Sequence, residues 1–137
     1  MIVGLDMYLT GKKFTPTHDG KNKRAIVEGY EVSSMDLDLG QWRKHWALHN
    51  YIEANIVTRQ FYGEGDSKFV LLDEELLEIA EAIEQGKLPD ANYSPKTDAF
   101  HKEPEQVAKN AKIFRDAHAW VSHEDGCWKD VEYEGSF

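Results

Sequence analysis

The stretch that decides the fold is Gly4–Leu9, G-L-D-M-Y-L, inside the opening M-I-V-G-L-D-M-Y-L-T. Side chains alternate across a β-strand, so Val3, Leu5, Met7 and Leu9 form one apolar face. Ile2, Gly4, Asp6 and Tyr8 fall on the other. A carboxylate in the middle of so apolar a strand needs a reason, which makes Asp6 the first candidate for a site.

Working outward, residues 25–32, A-I-V-E-G-Y-E-V, read as a second strand with Ile26, Glu28, Tyr30 and Val32 on one face. The segment Q-W-R-K-H-W-A-L-H-N-Y-I-E-A-N-I, reached through S-S-M-D-L-D-L-G, reads as a helix. A turn is expected at Gly63 and Gly65, and K-F-V-L-L is a short strand. Asp73 is the expected N-cap of an acidic helix. Glu74 and Glu75 stand at its positive end, Leu76, Ile79, Ala80 and Ile83 form its apolar stripe, and Gly86 and Pro89 close it. After a polar loop, a last helix begins near Glu103 with Pro104 in its first turn. Val107, Ala111, Phe114, His118 and Val121 share one side of it. G-C-W-K-D-V-E-Y-E alternates as a closing strand. Strands and helices without strict alternation point to an α+β fold, a small antiparallel sheet with about three helices packed on one face. Residues 1–137 carry no repeat or linker and read as a single domain.

The 137 residues hold 25 acidic and 16 basic side chains, a net charge of −9. Direct nucleic-acid binding is therefore not expected, because phosphate contacts need clustered Lys and Arg. The basic side chains gather early, at Lys12, Lys13, Lys21, Lys23 and Arg24. No apolar run approaches the roughly 20 residues of a membrane span, and no signal-peptide pattern opens the chain. With Cys127 as the single cysteine, no internal disulfide forms, and a reduced cytoplasm is the expected compartment.

On a helical wheel of residues 42–56, Trp42, His45, Trp46, His49, Ile52, Glu53 and Ile56 fall in one broad arc. Two imidazoles and a carboxylate in an apolar stripe need partners. Three readings account for them. Each His is bonded inside the core as a structural lock. Or Trp42, Trp46 and His49 line a pocket for a small anionic ligand, with Arg43 or Lys44 taking its phosphate. Or His45 and His49, one helical turn apart, form the start of a metal site completed by Asp6, Glu53 or His118. The lock is favoured, with Asp6 buried beside His49 to fix its tautomer. His18, His101 and His123 are expected at the surface. There is no nucleophile motif, no phosphate loop and no H-E-x-x-H, so no catalytic residue, cofactor or metal is assigned.

The motifs G-L-D-M-Y-L (Gly4–Leu9) and W-R-K-x-x-x-x-H (Trp42, Arg43, Lys44, His49) resemble a group of small uncharacterised proteins of tailed bacteriophages, T4-like phages and prophages among them. Those chains begin G-L-D-M-Y-L, carry a helix like Y-W-R-K-A-N-x-I-H and end near an aromatic strand, which D-V-E-Y-E-G-S-F loosely matches. Here His45 and Trp46 replace the usual Ala and Asn, which weakens the paired-histidine metal site, and Gln41 stands where an aromatic is common. Asp6, Tyr8, Trp42, Arg43, Lys44 and His49 remain as the shared set. The resemblance implies a viral accessory protein in the cytoplasm of an infected bacterial host. Its expected role is non-catalytic binding of a host macromolecule, with a host protein as partner. The alternatives are a binder of a nucleotide or defence signal, and a metal-dependent or acid–base enzyme built on Asp6 and His49.

Overall fold

A computed structural model describes residues 4–16, 24–56, 68–90 and 95–136. Ile2, Val3, His18, Lys21, Lys23 and the turn expected at Gly63 and Gly65 lie outside them. The elements are β1 (Asp6–Phe14), β2 (Ile26–Val27), β3 (Tyr30–Glu31), β4 (Ser34–Arg43), α1 (Trp46–Asn55), β5 (Lys68–Leu71), α2 (Asp73–Glu84), α3 (Pro95–His101), α4 (Pro104–Ser122) and β6 (Trp128–Ser136). β4, β1, β6 and β5 form, in that order, one antiparallel sheet, and β2 and β3 form a separate hairpin. The fold is α+β, as the patterning predicts, with α3 as an additional short helix.

The opening strand behaves as read. Leu5, Met7 and Leu9 are buried, while Asp6 is exposed and Tyr8 half-buried on the opposite face. Register carries the apolar face across the sheet. Met7 opposes Trp42 on one side and Gly135 on the other; Leu9 opposes Tyr133, which in turn opposes Phe69. The other face is polar. Lys12 lies 3.7 Å from Asp36 and 3.8 Å from Glu132, and Lys68 lies 3.7 Å from Glu132.

The helices cover the apolar face. In α2, Leu76, Ile79, Ala80 and Ile83 are buried as the spacing requires, and each large member contributes about 1.5–3 kcal/mol by leaving water. Its N-cap is Leu72 rather than Asp73. The Leu72 backbone N–H donates to the Glu75 carboxylate at 2.9 Å, so Glu75 closes the first turn. At the other end, Lys87 N–H reaches Ala82 O (2.9 Å) and Gly86 N–H reaches Ile83 O (3.3 Å) around Gly86 at φ 68°. This is the paired bonding of a glycine-closed helix. α4 buries Ala111 and Phe114 as expected, and Asn110 and Ala117 with them. Trp42 stacks on Phe114 at 5.3 Å.

Two sequence expectations are corrected. The predicted strand over 25–32 is a hairpin, because Glu28 and Gly29 both take positive φ (51° and 83°) and turn the chain between β2 and β3. The predicted helix from Trp42 starts only at Trp46, since Trp42 and Arg43 finish β4. M-D-L-D-L alternates and pairs with β1, which draws the strand forward through a bulge between Leu9 and Thr10. Lys44 ends it at φ 55°, with its N–H on Leu5 O at 2.7 Å.

Candidate functional site

The α1 histidines sit one turn apart and do different things. His49 is almost fully enclosed. Its Nδ1 lies 2.6 Å from the Tyr133 hydroxyl and its Nε2 3.1 Å from Glu53 Oε1, one helical turn on. Burial raises the Tyr133 pKa, so the phenol keeps its proton and donates to Nδ1. Nε2–H then faces the carboxylate. Burial lowers the His49 pKa, and Glu53 opposes it through charge and hydrogen bonding. Trp46 meets the ring edge-on at 6.0 Å. A Cβ placed on Gly135 would stand 2.7 Å from His49 Cε1, so only glycine lets the ring seat this closely on β6. The ring is bonded inside the core, with Tyr133 as its principal partner in place of the Asp6 expected from sequence.

Asp6 has no part in it. Gly135 opposes Met7, which places His49 on the Met7 face of the sheet, and Asp6 is exposed on the reverse face with Tyr8 beside it. The expected Asp6–His49 pair is therefore not formed: adjacent strand residues cannot share a face. The paired-histidine metal site also dissolves. His45 is the helix N-cap and lays its ring flat on His101 rather than beside His49, and both His49 nitrogens face Tyr133 and Glu53. Among the described residues no group of three or more His, Cys, Asp or Glu is placed to hold a metal ion.

The open chemistry lies at the other end of α1. Where β4 ends, a cleft of about 480 Å³ opens between β4, α3 and α4. Trp42, Arg43 and Lys44 line it, joined by Lys109, Phe100, His101, Thr97, Ile113 and the carboxamides Gln41, Gln106 and Asn110. Among the described residues none that lines it is acidic, although the chain carries 25 carboxylate side chains. Trp42 Nε1–H donates to Asn110 Oδ1 at 2.9 Å, while the buried Asn110 Nδ2 has no partner. Lys44 holds a conformation that side chains other than glycine rarely adopt, and that turn brings two cations to the cleft.

His101 closes the inner end. Its ring stacks flat on His45, 3.9 Å between centroids and 3° between planes, and its Nε2–H donates to Arg43 O at 3.2 Å. Both rings are neutral. Burial, with the nearby His101 second, pushes His45 down to about 3. Burial lowers His101 against the pull of the Arg43 carbonyl and Asp98. The Nδ1 atoms of both are buried and unpartnered. Behind the pair lies a second cavity of about 280 Å³, walled by His45, His101, Ala47, Ile83, Leu88 and Val107. Lys102 bridges Asp90 (2.6 Å) and Asp98 (3.0 Å) on its rim.

The sequence-predicted site residues thus divide. Trp42, Arg43 and Lys44 meet at the cleft, Trp46 and His49 in the lock, and Asp6 and Tyr8 on the outer sheet face. Sequence reading missed Phe100, His101, Lys109 and Asn110. His101 was expected at the surface, but α3 carries it under the β4 turn. Asn110 did leave a signal, a carboxamide within the apolar stripe of α4. Comparison of the chain with protein-family models, curated proteins and solved structures finds no match.

Proposed function

We propose that the chain is a non-catalytic accessory protein of the tailed-phage type it resembles, active in the cytoplasm of an infected bacterium. Its working part is the cleft, which holds a small, multiply charged anion. The observation that carries this reading is the composition of the wall: among the described residues, three cations and no carboxylate, in a protein of net charge −9. Like charges held together are unfavourable unless an anion neutralises them, and Arg43 offers the planar fork that phosphate and carboxylate oxygens accept. Among the described residues the wall also lacks serine and cysteine, and its imidazole, His101, is neutral and tied to a backbone carbonyl. That favours holding over reacting.

Thermal unfolding with inorganic phosphate, pyrophosphate and citrate tests it. A ligand at a hundred times its Kd adds about 2.7 kcal/mol to stability, so at least one anion raises the melting temperature. The double variant Arg43→Gln, Lys109→Gln removes the rise. No response to any of them overturns the reading.

A second reading, capture of a host macromolecule, has its own support. Phe14 and Trp128 pair across the end of the sheet at 47% and 77% exposure, and Ile26, Val27 and Tyr30 stand exposed on the neighbouring hairpin. Exposed apolar side chains gathered this way mark interaction surfaces. A host protein retained stoichiometrically by the wild type and lost by Trp128→Ser is its expected signature; equal retention by both removes it.

A further inference from the structure

Resting on the anion-binding reading, the geometry points to a nucleoside di- or triphosphate as the occupant of the cleft. Its phosphates lie on Arg43, Lys44 and Lys109, and its base on the face of Phe100. Size excludes the simplest alternative. A bare phosphate fills a small part of about 480 Å³, a volume within the roughly 300–1,000 Å³ that whole small molecules occupy.

Three features then select the chemistry. First, the cations come from two sides, Arg43 and Lys44 from the end of β4 and Lys109 from α4, so they can neutralise adjacent phosphoryl groups together. Second, Phe100 leaves its ring 46% exposed, braced edge-on by His101 at 5.2 Å. An aromatic face open to water beside fixed cations is the arrangement on which nucleobases stack. Third, Gln41, Gln106 and Asn110 put three carboxamides in one wall, and an amide offers the donor–acceptor pair that base edges match. The indole N–H of Trp42 ties down Asn110 Oδ1, which fixes the amide with its Nδ2 as the remaining donor.

The missing carboxylates add a distinctive consequence. Nucleotide sites that work through Mg²⁺ commonly hold it with Asp or Glu; here protein cations do the neutralising, and among the described residues the wall has no carboxylate to hold the metal. Binding is independent of Mg²⁺, or weakened by it, because the metal and the lysines compete for the same oxygens.

Calorimetric titration of the full chain with ADP, GDP, CDP, UDP, adenosine and pyrophosphate, with and without Mg²⁺, tests this. At least one diphosphate binds about tenfold or more tighter than pyrophosphate, by the worth of one stacked base, and adenosine binds weakest. Phe100→Ser, an exposed position whose loss leaves the fold intact, brings that nucleotide down to the pyrophosphate level and leaves pyrophosphate unchanged. Arg43→Gln with Lys109→Gln weakens both. Pyrophosphate binding as tightly as every nucleotide, an unaffected Phe100→Ser, or binding that requires Mg²⁺ overturns the nucleotide assignment while the anion reading stands. If no nucleotide binds, the nucleotide assignment falls, and if phosphate, pyrophosphate and citrate also fail to bind, the anion reading falls with it.

Discussion

His49 and His45 lie one turn apart, are equally hidden from water, and are both depressed in pKa by burial, yet end in different surroundings. His49 has a neighbour for each nitrogen, Tyr133 and Glu53, and rests on Gly135 with no room to spare. His45 lies flat against a second imidazole, with Nδ1 unpartnered on both rings and cavities on either side of the pair. The first is what a core does with a polar ring. The second leaves desolvation uncompensated, which a fold retains only where something else uses the position. Burial alone therefore does not identify a site; incomplete bonding next to an opening does.

The largest effect should come from emptying the lock. His49→Ala removes a buried ring and strands the Tyr133 hydroxyl, and about 3–5 kcal/mol is expected for truncating a buried aromatic-sized side chain. Urea unfolding of the variant measures it. His45→Phe, which keeps a stacked ring and deletes the unsatisfied nitrogen, should be near neutral or stabilising. Equal losses from both variants would erase the distinction between the two histidines. Gly135→Ala comes next, at about 1–3 kcal/mol, since the new methyl meets a ring that cannot retreat. Tyr133→Phe follows with about 1–3 kcal/mol for an orphaned His49 Nδ1.

Acid acts on all the buried imidazoles, because burial depresses His45, His49 and His101 alike. A histidine whose folded pKa is depressed contributes full stability above its unfolded value of 6.5, and that contribution falls as pH drops below 6.5 towards the folded value. For His45 the window runs from 6.5 to about 3, with a slope near 1.4 kcal/mol per pH unit. Asp98 pulls on His101, Asp90 and Lys102 stand on the rim of the cavity behind the pair, and Arg43, Lys44 and Lys109 share the cleft with His101 on its other side. Depressed carboxylates such as Asp90 lose their own contribution only at lower pH, below the ordinary carboxylate value of 3.8. A stability profile between pH 6.5 and 4.5 thus isolates the imidazoles, and His45→Phe should reduce its slope, leaving the shares of His101 and His49. An unchanged slope in that variant would mean that His45 is not the titrating group.

How much of this was readable beforehand follows from the range of each signal. Alternation in β1 and β6 and helical spacing in α2 are local, and each predicted its buried face: Leu5, Met7, Leu9; Val131, Tyr133; Leu76, Ile79, Ile83. The boundary at Trp46 was not local. Trp42 fits the helical arc as well as it fits a strand, and pairing of Trp42 with Met7 and of Arg43 with Asp6 decided between them. The same choice moved Trp42, Arg43 and Lys44 off the His49 side and into the cleft. Phe100, His101 and Lys109 join them only through tertiary packing of α3 and α4, for which the spacing of a single chain carries no pattern.

The smallest expected effect concerns the carboxylate that first drew attention. Asp6 is exposed, on the sheet face away from both histidines, so Asp6→Ala should stay within about ±0.5 kcal/mol, as surface substitutions do. Binding of pyrophosphate should not change either, because Asp6 is not among the residues lining the cleft. The measurement is small but discriminating. Were Asp6→Ala to cost as much as Tyr133→Phe, the outer face would hold a polar contact as demanding as the lock. The contrast between a sealed inner face and a solvated outer one would then be wrong at its centre. A null result leaves Asp6 free to serve a partner that approaches the sheet from outside, where Tyr8 stands beside it.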